Sequence, residues 1–190
     1  MVMARAPAPA LLCVFSGLPG TGKTTLAQRL AREFGAAYLR IDTIEQALRD
    51  LCAVDVQEEG YRLAYRLAED NLRLGVSVVA DSCNAIDITR AAWEQIARNH
   101  GCRCVNIETL CSDRAEHRRR IEFRHCTVSG LRLPTWAAVE AHEYHRWTRP
   151  RIVVDTAGRT EDACFADLLS DLKEERGQIP LHLPPAAPNG

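Results

Sequence analysis

Residues 11–30 read LLCVFSGLPGTGKTTLAQRL, and the fold follows from how that stretch changes character. Leu11, Leu12, Cys13, Val14 and Phe15 make an apolar run of strand length. A turn rich in Gly and Pro follows. Leu26, Leu30 and Phe34 then recur every four residues, which is the spacing of one helix face. Between strand and helix lies Gly17-x-x-x-x-Gly22-Lys23-Thr24, the pattern of a phosphate-binding loop in the setting its chemistry needs. Ordinary residue frequencies yield this pattern by chance in roughly one chain of this length in a hundred. The loop Gly17, Leu18, Pro19, Gly20, Thr21, Gly22 can curl its free backbone N–H groups around phosphate oxygens. The helix entered through Lys23, Thr24 and Thr25 points its positive end at the same anion. Lys23 is placed to bridge the β- and γ-phosphates, and the Thr24 hydroxyl to ligate Mg²⁺.

Composition narrows the remaining classes. The chain's 190 residues suffice for one domain with a full core, a lid and a tail. With 24 basic and 25 acidic residues the net charge is −1, so no global field draws it to nucleic acid or to a membrane. Residues 1–10 read as a loose leader without the long apolar run of a signal peptide, and Leu11–Phe15 is too short to span a bilayer. The eight cysteines form no Cys-x-x-Cys pair, and several sit in apolar runs. The expectation is a cytoplasmic protein with reduced, packed thiols.

The rest of the chain alternates strands and helices. Residues 37–41 form a second strand ending at Asp42, and Thr43 is expected to cap a helix reaching about Asp50, with Ile44, Ala47, Leu48 and Leu51 on one side. Tyr61, Ala64, Tyr65, Ala68 and Leu72 mark a helix over 58–74 that Gly75 stops. A third strand over 76–80 ends at Asp81. A helix over 87–99 places Ile88, Ala91, Ala92 and Ile96 inward, and a fourth strand covers 102–110. A helix over 112–124, rich in Arg, enters a lid running to about 148 that holds a further helix over 136–147. Strand 152–154 ends at Asp155 and Thr156, and a helix over 160–175 carries Ala163, Ala166, Leu169 and Leu172 inward. The segment 176–190, with four prolines after Gly177, is expected to be a flexible tail. Such alternation implies an α/β domain over 11–175 with a parallel sheet, right-handed crossovers and a ligand at the carboxyl ends of the strands. The P-loop, Asp42, Asp81 and Asp155 then share one rim.

These features together resemble the small P-loop kinases: the P-loop, Ile41-Asp42, VVADSCN at 78–84, the Arg-rich segment and VVDTA at 153–157. The resemblance is to the group of zeta-toxin kinases and chloramphenicol phosphotransferase, over roughly residues 11–173. It implies a P-loop NTPase fold of three α/β/α layers, a five-stranded sheet ordered 2-3-1-4-5 and a helical lid, with ATP and Mg²⁺ as cofactors. By the same resemblance Asp42 is the base that takes the acceptor's proton, and Asp81 a carboxylate that holds Mg²⁺ or substrate. The alternative for Asp42 is a charge at the helix N-terminus, and for Asp81 a cap on the turn at 82–84. Asn84 and Arg90 match polar positions seen after this strand in relatives and are expected to bind substrate; Arg90 could steady an acceptor or phosphate, or be a surface Arg at a helix start. Where relatives carry an Arg three residues after the aspartate, this chain has Glu45. Among Arg114, Arg118, Arg119, Arg120 and Arg124, the resemblance puts Arg120 against adenine and Arg124 on the phosphates, with Asp155 and Thr156 beside the adenine. An exposed helix paired to Glu116 and Glu122 would look as Arg-rich. His142 and His145, with His125 or Cys126, lack a fourth metal ligand.

The function expected from these residues is transfer of the γ-phosphoryl group of ATP to a hydroxyl of a small metabolite or antibiotic. A polynucleotide or tRNA kinase, and a regulatory ATPase without an acceptor, are the competing readings. The neutral charge weighs against nucleic acid and Asp42 against the switch.

Overall fold

The computed structural model describes residues 10–176; the leader before Ala10 and the tail beyond Arg176 lie outside the described residues. Strand β1 (Leu11–Ser16) is buried along its whole length at the centre of a parallel sheet. It pairs on one side with β3 (Val78–Asp81) and on the other with β4 (Arg103–Leu110). Strand β2 (Ala37–Arg40) lies outside β3, and β5 (Ile152–Asp155) outside β4, giving the order 2-3-1-4-5. The expected sheet is therefore present.

The period of two along β1 explains the layers. Leu11, Cys13 and Phe15 pack with Leu26 and Leu30 of α1 (Lys23–Phe34) and with Phe165, Leu168 and Leu172 of the last helix, 161–176. Leu12 and Val14 face the other way, onto Ala64, Ala68 and Leu72 of the helix at 59–73 and Trp93 and Ile96 of the helix at 87–99. In chain order these are α1, α2 (Ile41–Cys52), α3 (Glu59–Arg73), α4 (Asp87–Asn99), α5 (Arg114–Phe123), α6 (Trp136–Glu140) and α7 (Glu161–Arg176). Covered on both faces, the central strands need no polar side, which is why they read as continuous apolar runs.

Several local expectations change. β2 runs into α2 with no loop, so Arg40 takes the cap position, Asp42 lies in the first turn and Thr43 is an exposed interior residue. Leu51 is exposed as well. In α4 the buried face is Arg90, Trp93, Ile96 and Ala97, whereas Ile88 points outward. In α7 it is Cys164, Phe165, Leu168 and Leu172, with Ala163 and Ala166 exposed. The lid helix expected to reach residue 147 ends at Glu140. From Tyr144 onward the chain is instead a strap held by side chains, with Tyr144 Oη donating to Glu108 (3.1 Å), Arg149 to Glu94 (2.9 Å) and Arg151 paired to Glu108. All eight cysteines are free thiols.

Candidate active site

The P-loop leaves β1 at Gly17, whose N–H donates to the Cys83 carbonyl (3.1 Å) and ties the loop to the end of β3. Gly17 has φ +139°, and a Cβ there would run into the Thr109 carbonyl, so only glycine lets the loop pass β4 this closely. Thr21 shares a hydrogen bond with the Thr109 hydroxyl (2.9 Å) and donates to Leu18 O, which closes the turn. Lys23 is buried and its Nζ donates to the Leu18 carbonyl (3.0 Å), so its charge lies inside the loop's curve.

Helix α5 roofs this loop. Asp113 caps it by accepting from the Glu116 N–H (2.9 Å). His117 and Ile121, one turn apart, face inward: His117 Nε2 lies 2.7 Å from the Pro19 carbonyl, and Ile121 packs where a Cβ on Gly20 would sit. The arginines of this helix divide. Arg118 pairs with Glu122 and Arg114 with Glu140 on the outer side, and Arg119 is exposed. Arg120 faces inward and donates to the Thr156 hydroxyl (2.7 Å), the Thr156 carbonyl (2.8 Å) and Glu116 (2.6 Å). Thr156 in turn donates to Thr21 O or Leu110 O, so the β5 end, lid helix and P-loop meet at one hydroxyl. Asp155 accepts from the N–H groups of Ser112 and Ala157; burial works against its ionised form, but these bonds outweigh it and hold its carboxyl below the ordinary range.

A cavity of about 650 Å³ opens beside the loop, lined by Lys23, Thr24, Thr25, Asp42, Asp81, Arg120 and Arg124 among others. Asp81 is buried at its back and accepts from Tyr38 Oη (2.6 Å); burial and Asp81 together push the tyrosine's pKa far up. Arg40 lies between the two carboxylates, 3.8 Å from Asp42 and 4.0 Å from Asp81, and donates to the Thr127 hydroxyl in the lid (2.8 Å). Arg124 is half-buried; burial lowers its pKa, Asp42 works the other way, and its Nε has no hydrogen-bond partner. Lys23, Arg40, Arg120, Arg124 and Arg132 against two carboxylates give this cavity the positive balance a polyphosphate requires. Thr24 hydroxyl and Asp81 carboxylate are hard oxygen donors, and that donor set fits Mg²⁺ completed by phosphate oxygens and water. Among the described residues no group of three His, Cys, Asp or Glu could hold a metal, and His145 instead accepts from Asp87 N–H.

Two expected substrate contacts are buried structural groups. Arg90 is fully enclosed: Nε donates to Asn84 O (3.0 Å), Nη1 to His145 O (3.0 Å) and Nη2 to Ala85 O (2.9 Å). Its guanidinium stacks 3.9 Å from the Trp147 ring centroid. It fastens the strap and does not line the cavity. Asn84, at φ +46°, is also buried and donates to Ser16 Oγ (2.9 Å), which holds the turn under the site. Sequence reasoning missed Tyr38, Arg40, Thr109 and His117, whose partners lie far along the chain. Only His117, one turn before Ile121 in an otherwise charged helix, left a local signal.

The AAA domain family (AAA_33) matches residues 12–143 of this chain. The chain belongs to that family. A shikimate kinase of Frankia casuarinae is 32% identical over 171 residues, which cover 84% of this chain and 71% of that protein. This P-loop, kinase-like domain also superposes on solved structures of low identity. The Mycobacterium tuberculosis APS kinase CysC, in complex with AMPPNP and APS, has a TM-score of 0.63 at 20% identity, over 88% of this chain and 99% of that one. Kti12 of Chaetomium thermophilum, in complex with ADP-AlF3, has a TM-score of 0.63 at 21% identity, over 86% and 97%. At these identities the likeness is one of fold. Among the described residues no helix is long and apolar enough to cross a membrane.

Proposed function

We propose that this AAA-domain protein is an ATP-dependent kinase that transfers the γ-phosphoryl group to a hydroxyl of a small molecule. The observation that carries the reading is the position of Asp42. Its half-exposed carboxylate lines the P-loop cavity and also a second cavity beside it, so it stands where an acceptor would meet the phosphate. The shikimate kinase relative supports the reaction class, and we group the chain with the zeta-toxin kinases and chloramphenicol phosphotransferase on its sequence motifs.

In this mechanism the P-loop N–H groups and Lys23 hold the β- and γ-phosphates, while Arg120 forms the nucleotide side of the cavity, with Thr156 behind it as its hydrogen-bond partner and Asp155 outside the lining. Thr24 and Asp81 would hold Mg²⁺, which neutralises charge on the phosphates when bound. The acceptor oxygen attacks the γ-phosphorus, the bond to the bridging β–γ oxygen breaks, ADP leaves, and the hydroxyl proton passes to Asp42. Lys23 and Arg124 balance charge on the transferred group. Asn84 and Arg90 act behind the site, through the turn and strap they hold.

ADP release from ATP–Mg²⁺ tests this against a panel of hydroxylated metabolites, nucleosides, aminoglycosides and phenicols, with Asp42→Asn in parallel and ATP affinity measured by calorimetry. The expected result is stimulation by at least one acceptor that Asp42→Asn abolishes while ATP still binds. Turnover that no compound stimulates and that is identical in the variant would overturn the kinase and favour a regulatory ATPase.

A further inference from the structure

The second cavity, of about 370 Å³, shares Asp42, Cys83 and His142 with the nucleotide cavity. Its charge is opposite. No Lys or Arg lines it; its ionisable side chains include the carboxyl groups of Asp42, Glu45 and Glu143. The remaining wall offers hydrogen bonds and apolar surface in small amounts, from Tyr61, Thr89, Ile41 and Ile86. Glu45 is built into that wall. Its side chain is only 21% exposed and packs over Gly60, where any Cβ would collide with its Cγ. Its partner Arg49 (3.3 Å) does not line the cavity, and burial pushes the Glu45 pKa up against the pull of that arginine.

Resting on the kinase reading above, we propose that this cavity is the acceptor chamber and that it takes a neutral or amine-bearing polyol. An acceptor bearing a carboxylate, sulfate or phosphate would set its charge against Glu45 and Asp42 with no Lys or Arg in the wall. Like charges in a partly desolvated cavity repel strongly. An ammonium group would instead complete Glu45 from the cavity side, and a neutral sugar would use Tyr61, Thr89 and the carboxylates as hydrogen-bond partners. The charge split therefore sorts the two substrates: polyphosphate to the basic cavity, uncharged or cationic alcohol to the acidic one.

The test uses three probes on one skeleton: glucosamine, glucose and glucuronate, titrated into protein carrying labelled isoleucine methyls and saturated with AMPPNP–Mg²⁺. Glucosamine and glucose are expected to shift the Ile41 and Ile86 methyls while leaving core Ile152 in place, with glucuronate at least tenfold weaker. Glu45→Gln, which keeps the size of the side chain, is expected to weaken glucosamine at least fivefold more than it weakens glucose. Glu45→Lys is expected to bring glucuronate level with glucosamine or past it. Glucuronate binding the wild type as well as glucosamine does, or all three leaving Ile41 and Ile86 unmoved, overturns the chamber. ADP release with the same sugars separates the two readings. A sugar that fills the chamber but causes no Asp42-dependent ADP release upholds the chamber and defeats the kinase.

Discussion

Arg90 is the sharpest place to perturb this molecule, because its sequence position suggests a ligand contact and its surroundings define a structural bolt. In Arg90→Met the hydrophobic volume is roughly kept, and three donors into the carbonyls of Asn84, His145 and Ala85 are lost. Ala85 O still accepts from the His145 N–H (2.8 Å), so the Asn84 and His145 carbonyls bear most of the loss. An acceptor left unpaired in the interior costs about 1–3 kcal/mol. The stacked contact with Trp147, out of water, is worth about 2 kcal/mol more. Relief from burying the charge offsets part of this. The net expectation is a loss of about 3 kcal/mol, which lowers the melting temperature of a domain this size by about 6–12 °C. Urea and thermal unfolding measure it directly, with ATP affinity and acceptor KM followed on the folded fraction. Arg90→Lys sharpens the test. It keeps the charge but cannot supply a planar fork to three carbonyls, so its loss should approach that of Met. A melting temperature within about 2 °C of wild type, with a raised acceptor KM that Lys restores, would refute this account and return Arg90 to the substrate.

Other expectations follow from the same geometry. Gly17→Ala forces a Cβ into the Thr109 carbonyl at a left-handed φ, so calorimetry should show nucleotide binding lost; retained affinity would mean the loop has room to shift. His117→Leu removes the contact between α5 and Pro19 O. Nucleotide affinity should fall about tenfold while the melting temperature changes little, and an unchanged affinity would show the roof plays no part. Glu45 gives a pH dependence. Burial raises its folded pKa above the unfolded value, so its contribution to stability is present in acid and declines as pH rises through the folded value. Glu45→Gln lacks that decline. Its stability relative to wild type should therefore rise in urea titrations as pH increases above the ordinary carboxylate range, and a constant gap would contradict the assignment.

The P-loop half of the candidate site was legible because its signal is contiguous. Strand, turn and helix occupy twenty adjacent residues, and the alternation of elements then places Asp81 and Asp155 at strand ends. Arg90 was not legible, because what encloses it is supplied from residues 144–147, more than fifty positions later. That enclosure also explains the misread face of α4. A helix that buries an arginine beside Trp93 presents its apolar Ile88 to solvent, so a search for an apolar stripe selects the wrong side. In α7 the alanines at 163 and 166 drew the stripe aside from Cys164, Phe165 and Leu168, the residues that fill the groove against β1 and α1. The Arg-rich helix held both readings at once. Its outer arginines are the solvated, Glu-paired kind, and only Arg120 and the cap residue Arg124 turn to the cavity.

On the proposed kinase mechanism, with Asp42 as the base, the two halves of the site place different demands on the chain. The transition state for phosphoryl transfer is loose, with little bonding to the acceptor oxygen before the γ-phosphoryl group has largely left ADP. Cations around the phosphate therefore carry most of the stabilisation, and they are supplied redundantly by Lys23, Arg40, Arg120 and Arg124. The base has a narrower part in the reaction, since it orients one hydroxyl and receives its proton late. A carboxylate in the first turn of a helix suits this, because β2 passes into α2 without a loop and the sheet fixes its position. Arg40, 3.8 Å away on the same cavity wall, steadies it. On this reasoning Asp42→Asn should lower kcat by about 10²–10⁴-fold with little change in the KM for ATP. Arg40→Met, which frees Asp42 without removing it, should lower kcat far less and spread the loss over acceptor KM as well. Equal losses in the two variants would mean that Asp42 acts only as a partner for Arg40, and that the proton leaves by another route.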